Sequence, residues 1–202
     1  MTTPILWYLN RGTGVALLVL FTLTVVLGVL STGRGFTTLW PRFLTQGLHR
    51  TLAGLSTGLL LAHALTAVID EYVDIRWWQA VVPFGATYEP LWLALGTLSL
   101  DLTVMVVVTS LLRSRISTRA WFLIHLLSYA AWLAAVVHGL GIGTDATSDW
   151  FLATTWVCVA AGVVAVFARI AIGARTLADL RPMTAVNPSI DLPTLSTTGG
   201  PR

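Results

Sequence analysis

The chain has 202 residues, of which 55% are hydrophobic and 10% charged, with twelve basic against nine acidic residues and a formal net charge of +3. Soluble domains carry about 25% charged residues, so a soluble globular domain is excluded, as is the basic face of a nucleic-acid-binding protein. With Cys158 as its one cysteine, the chain forms neither an internal disulfide nor a thiolate metal cluster, and that residue sits in an apolar run as packing.

Five long apolar segments follow one another: Gly14–Leu30, Leu48–Ile69, Leu91–Leu112, Ala120–Leu140 and Trp150–Ile172. Each approaches or exceeds the length that crosses a hydrocarbon core, and in lipid such a segment must be helical because no water is there to satisfy its backbone. The fold class expected is therefore all-α, an integral membrane bundle of five helices. Arg11 before the first segment imitates a signal peptide, but no A-x-A cleavage pattern follows, so the segment counts as a membrane helix. Residues 1–175 form one membrane domain on this reading. Residues 176–202, rich in Pro, Thr and Ser, read as a disordered tail.

All twelve basic residues are Arg, and they alternate along the connections. Arg34, Arg42 and Arg50 surround the first connection, while Arg113, Arg115 and Arg119 fill the third. The second holds Arg76 against Asp70, Glu71, Asp74 and Glu89, and the fourth holds only Asp145 and Asp149. The positive-inside rule then puts the first and third connections in the cytoplasm, the N-terminus outside and the C-terminus, with Arg175 and Arg181, inside. Arg11 alone dissents.

The chain's four histidines fall on segments two and four: His49 and His63 fourteen residues apart, His125 and His138 thirteen apart. At about 1.5 Å per residue each pair spans roughly 20 Å, much of a core about 30 Å thick. Segments two and four run in the same direction, so His49 pairs with His125 near the inner face and His63 with His138 near the outer. Imidazole suits iron, and an iron with a protein ligand on both axial faces serves electron transfer. The four histidines thus predict two stacked haem centres, with Arg50 beside His49 facing the inner propionates. Helical phase favours the first pair: fourteen residues return to within roughly 40° of the same face, whereas thirteen leave His138 about 140° from His125. Overwinding at Gly139-Leu140-Gly141 is the device expected to narrow that gap.

Two other features stay open. Asp101 lies well inside the third segment, where a carboxylate is costly, and it reads either as a proton carrier or as the partner of a buried polar group. Between the second and third segments, Trp77 and Trp78 fit an interfacial anchor and Pro83-Phe84-Gly85 a turn, while the same stretch also reads as a lid over the outer centre. A haem-free protein, such as a proton pathway built from His and Asp101, is the alternative from a different class.

The two His spacings with one intervening helix resemble the ferric-reductase-like transmembrane superfamily, which includes NADPH oxidases, ferric-chelate reductases and the haem-binding membrane subunit of a bacterial methionine sulfoxide reductase system. Trp7-Tyr8-Leu9-Asn10-Arg11-Gly12, Thr109-Ser110-Leu111-Leu112-Arg113 and His138-Gly139-Leu140-Gly141-Ile142-Gly143-Thr144-Asp145 are similar to actinobacterial members. The resemblance covers roughly residues 5–172. It implies that His49, His63, His125 and His138 are axial ligands of two b-type haems in a transmembrane electron-transfer protein. The complete reductases of that group carry flavin- and nicotinamide-binding domains, whereas no Gly-rich phosphate loop occurs here. The implied donor is a separate redox protein, a flavin-binding partner or a quinol. The five helices here also depart from the six of that group.

Overall fold

A computed structural model describes residues 4–32, 41–70, 75–143 and 145–180. Its regular structure is helical, with no strand among the described residues. Five long helices follow in order: α1 (Pro4–Leu30), α2 (Arg42–Ile69), α3 (Pro90–Leu111), α4 (Thr118–Ile142) and α5 (Asp149–Leu180). Short 3-10 turns at Trp77–Ala80 and Arg113–Arg115 lie in the second and third connections. All five long helices are long and apolar enough to cross a membrane, with mean hydropathy between 1.8 and 2.5. The third and fourth expected segments match within two residues at each end, and α2 begins six residues early, at Arg42. The first begins ten residues earlier than expected, at Pro4, which turns Asn10 and Arg11 into helix residues. Helix α5 runs on to Leu180, past the expected domain edge at 175, and the rest of the expected tail lies outside the described residues.

Local chemistry sets the helix ends. Pro90 opens α3 at a position that needs no amide hydrogen, after Glu89 turns the chain with φ of 39°. Ser117 caps α4 by accepting the Ala120 amide hydrogen at 3.3 Å. The Asp70 amide closes α2 on the Thr66 carbonyl at 3.0 Å.

Helix α1 is the central post. Leu17, Leu18, Phe21, Val25 and Val29, recurring at helical spacing, bury one stripe of it. It packs most extensively on α2, and α3 most extensively on α4, so the bundle is built from two helical hairpins; α1 also meets α4 and α5. Phe21, Leu60, Trp132 and Cys158 fill the bundle centre, and the packing reading of Cys158 holds. The indole of Trp132 donates to Thr22 Oγ1 at 3.0 Å, tying α4 to α1, and Ser99 donates to the Ala131 carbonyl at 2.9 Å, tying α3 to α4. Such bonds between membrane helices contribute roughly 1 kcal/mol each. The outward faces remain apolar, as lipid requires: Leu55, Leu61 and Leu65 of α2 and Val157, Val164 and Phe167 of α5 are all more than half exposed.

Gly162 on α5 allows that centre to close. A Cβ there would collide with the six-membered ring of Trp132, which is itself only 6% exposed and has no room to retreat. Gly162→Ala should therefore destabilise the bundle by about 1–3 kcal/mol. A melting curve in detergent should show it, with Gly173→Ala, whose Cβ meets nothing within 4 Å, leaving the midpoint unchanged.

Candidate functional site

Each histidine is held by the helix preceding its own. Because α1 and α2 run antiparallel, equal spacings on the two helices face each other. Gly14 and Gly28 are fourteen residues apart on α1, as His63 and His49 are on α2. A Cβ on Gly14 would lie 3.3 Å from His63 Cε1, and one on Gly28 would lie 3.2 Å from His49 Cε1. In both cases Nδ1 reaches the carbonyl four residues before the glycine: Asn10 O at 3.0 Å for His63, Thr24 O at 2.9 Å for His49. Side chains on a helix lean back over the preceding turn. Glycine at one position therefore uncovers the carbonyl one turn earlier and lets an imidazole lie flat enough to use it.

The α3–α4 hairpin repeats the device. His138 Nδ1 meets Trp92 O at 2.8 Å, and Gly96, four residues on, would bring a Cβ to 2.6 Å from His138 Cε1. At the fourth place the equivalent of the glycine is Ser110, fourteen residues beyond Gly96. Its hydroxyl donates at 2.7 Å to Val106 O, the carbonyl equivalent to those that receive the other three imidazoles. His125 Nδ1 instead faces Ser110 Oγ at 3.5 Å. That oxygen also faces the Trp121 indole N–H at 3.4 Å. Trp121 stacks on His125 with ring centroids 4.8 Å apart, and the Arg113 guanidinium lies 4.1 Å above Trp121.

These contacts settle the tautomers. A backbone carbonyl only accepts, so Nδ1 of His49, His63 and His138 carries the hydrogen. Ser110 has spent its own hydrogen on Val106, so His125 Nδ1 donates as well. Every Nε2 then presents a bare lone pair, and no hydrogen bond from a described residue reaches one. Metal-binding histidines show this arrangement: one nitrogen anchored to a carbonyl, the other free for the metal.

The four rings meet in two levels. His49 and His125 face each other with centroids 6.3 Å apart and planes at 63°. His63 and His138 line one cavity of about 270 Å³, walled by Gly14, Gly96, Leu17 and Phe151. Halfway between the levels lie Ser56 on α2 and Trp132 on α4, both buried. Two metal–imidazole bonds of roughly 2 Å plus half a ring on each side separate two centroids by roughly 6 Å. No group of three or more His, Cys, Asp or Glu gathers among the described residues. Two imidazoles per level therefore suit a metal that brings its own equatorial ligands, and haem is such a group. The residues present fit it.

Several expectations take a different form. The Gly139-Leu140-Gly141 stretch lies beyond the interval between His125 and His138, so it cannot adjust their phase. Helix α4 is unbroken from Thr118 to Ile142, and both rings contact α3 nonetheless. Fourteen residues of α3, from Trp92 to Val106, face thirteen of α4. Gly141 instead admits the Trp92 indole, where a Cβ would collide with it, and so draws the turn whose carbonyl holds His138 toward α4. Arg50 is exposed, and no described residue pairs with it. Asp101 makes no hydrogen bond or ion pair with a described residue and lies outside the lining of the His63/His138 cavity. Arg11, the dissenting charge, forms an ion pair with Asp145 and lies 4.0 Å over the Trp7 ring at the cavity mouth. In the second connection Trp77 is exposed as an anchor would be, while Gln79 and Ala80 line the cavity as a lid would. Gln79 is fixed there by bonds to Gly85 O at 3.0 Å and from Thr97 Oγ1 to its own carbonyl at 2.9 Å.

Sequence reasoning passed over Gly14, Gly28, Gly96 and Ser110, although their fourteen-residue spacing repeats that of His49 and His63. Comparison with family models, with curated proteins and with solved structures finds no match to this chain.

The tautomer assignment predicts that ¹⁵N spectra of the histidine-labelled, haem-free chain in detergent show protonated Nδ1 and bare Nε2 for His49, His63 and His138. Nε2-protonated rings at these positions would contradict the anchoring described.

Proposed function

We propose that this chain is a di-haem b-type electron-transfer protein of the membrane, holding one haem between His49 and His125 and a second between His63 and His138. The observation that carries the reading is the set of four imidazoles, each anchored through Nδ1 with Nε2 bare, His49 facing His125 and His63 sharing a cavity with His138. When bound, haem iron supplies a one-electron couple whose potential follows its axial ligands. The chain's part is to hold those ligands: carbonyls on α1 and α3 fix three rings and the Ser110 hydroxyl faces the fourth, while Phe21, Leu60 and Trp132 pack together in the bundle centre. Two imidazoles per level would hold the group from both sides, which suits electron transfer.

The alternating arginines support an orientation with His49/His125 toward the cytoplasm and His63/His138 toward the outer face of the plasma membrane. The donor would be a flavin-binding partner, another redox protein or a membrane quinol, because no nucleotide-binding motif occurs in the chain. The His spacings resemble the ferric-reductase-like superfamily, which supports the same activity. Asp101, apart from the cavity and unpaired among the described residues, gives the proton-pathway alternative no continuous route.

Two measurements test this. Haem extraction from the purified protein should return two haems per chain, and His63→Ala or His138→Ala should return one while leaving a bis-His spectrum. A protein that purifies folded and colourless, with no reduced α band after haem is supplied, would overturn the reading.

A donor at the cytoplasmic face lies at least roughly 20 Å by helical rise from the His63/His138 level, too far for efficient tunnelling without the His49/His125 centre on the way. Vesicles with a reductant inside and ferricyanide outside should therefore pass electrons with the wild-type chain and lose that transfer with His49→Ala. NADPH alone should reduce neither. Transfer by the variant at the wild-type rate would rule out two centres in series.

A further inference from the structure

Three of the four imidazoles donate to a helix carbonyl and one does not; His63 Nδ1 also lies 3.1 Å from the Thr13 hydroxyl, whose hydrogen goes to Leu9 O and Asn10 O. His49, His63 and His138 donate to helix carbonyls at 2.8 to 3.0 Å. His125 donates to the hydroxyl of Ser110 at 3.5 Å. That hydroxyl oxygen is shared with the Trp121 indole N–H, and the Trp121 ring carries the Arg113 cation on its face. A strong acceptor on Nδ1–H gives the imidazole imidazolate character and makes Nε2 a better electron donor. A weak, shared acceptor beside a cation does the opposite.

Resting on the di-haem reading, we propose that Ser110 is a positioning residue that sets the donor strength of His125 and makes the His49/His125 centre the more oxidising of the two. The His63/His138 centre has two carbonyl-anchored ligands, which favour the ferric iron by pushing electron density toward it. The His49/His125 centre has one such ligand and one weakly anchored one, so its ferric state is less stabilised and its midpoint potential stands higher. The serine acts by geometry as well as by its own bond. Its Cβ and hydroxyl cover Val106 O, the carbonyl that would otherwise receive His125, just as Gly14, Gly28 and Gly96 uncover theirs.

Geometry also makes the effects of substitution opposite in sign. Ser110→Gly uncovers Val106 O and lets His125 bond as the other three do, so the His49/His125 midpoint should fall toward that of the other centre. Ser110→Ala keeps the Cβ in the way but removes the acceptor, so that midpoint should rise, with haem at that level held about 10-fold more weakly. Ser110→Thr retains the hydroxyl and should leave the midpoint where it is.

The experiment is a potentiometric titration of the haem-loaded, full-length protein in detergent, followed in the α band. His63→Ala, which lacks the other centre, assigns the two midpoints. Opposite shifts in Ser110→Gly and Ser110→Ala, confined to the higher midpoint, are expected. If Ser110→Ala fails to load, the fall in Ser110→Gly and constancy in Ser110→Thr decide. Unmoved midpoints, shifts of the same sign, or assignment of the lower midpoint to His49/His125 would overturn the role of Ser110 while two haems are still bound. A wild-type chain that binds no haem would instead overturn the di-haem reading beneath it.

Discussion

The structure depends on one contact made repeatedly across antiparallel helices: an imidazole N–H donating to a helix carbonyl that a missing side chain has left open. The carbonyl accepts the imidazole beside its own helix bond, and at Asn10 it accepts from the Thr13 hydroxyl as well. This asks little of the backbone and leaves both helices regular. In a lipid environment, with no water to take over, an unsatisfied imidazole N–H is costly, so the contact is strongly selected once a histidine is buried. Gly14, Gly28 and Gly96 are therefore as much a part of the site as the histidines they admit.

The bundle repeats this contact in two hairpins, and the repetition yields two levels of chemistry. Helix α1 presents Gly14 and Gly28 to α2, and α3 presents Gly96 and Ser110 to α4, at the same fourteen-residue interval. Joining the hairpins brings His49 to face His125 and His63 to share a cavity with His138. Phe21, Leu60 and Trp132 pack together in the bundle centre, and Phe21 and Leu60 also wall the His63/His138 cavity. The two levels are not equivalent. One opens toward the ion pair of Arg11 and Asp145 and is covered by Gln79 and Ala80; the other carries the Trp121 and Arg113 stack beside His125. A duplicated scaffold with unequal surroundings is a natural way to give two like centres different potentials.

Much of this was legible in the amino-acid order. Hydropathy determined five helices, because apolar runs of that length have no other stable conformation in lipid, and each expected segment falls on one of α1 to α5. The fourteen-residue spacing of His49 and His63 placed them on one face, and the parallel course of α2 and α4 determined which histidines would meet. What only the tertiary structure decided concerns close approach. Helical phase left His138 about 140° from His125, yet its ring bonds Trp92 O, because the route of a side chain to its partner depends on the neighbouring helix as well as on its own. Arg11 reads as a misplaced charge until Asp145, far along the chain, arrives beside it. Ser110 is an ordinary helix serine in the sequence. Only the packing of α3 on α4 sets its hydroxyl between Val106 and His125, because hydrogen-bond geometry is decided at tenths of an ångström and residue spacing resolves no better than a helical turn.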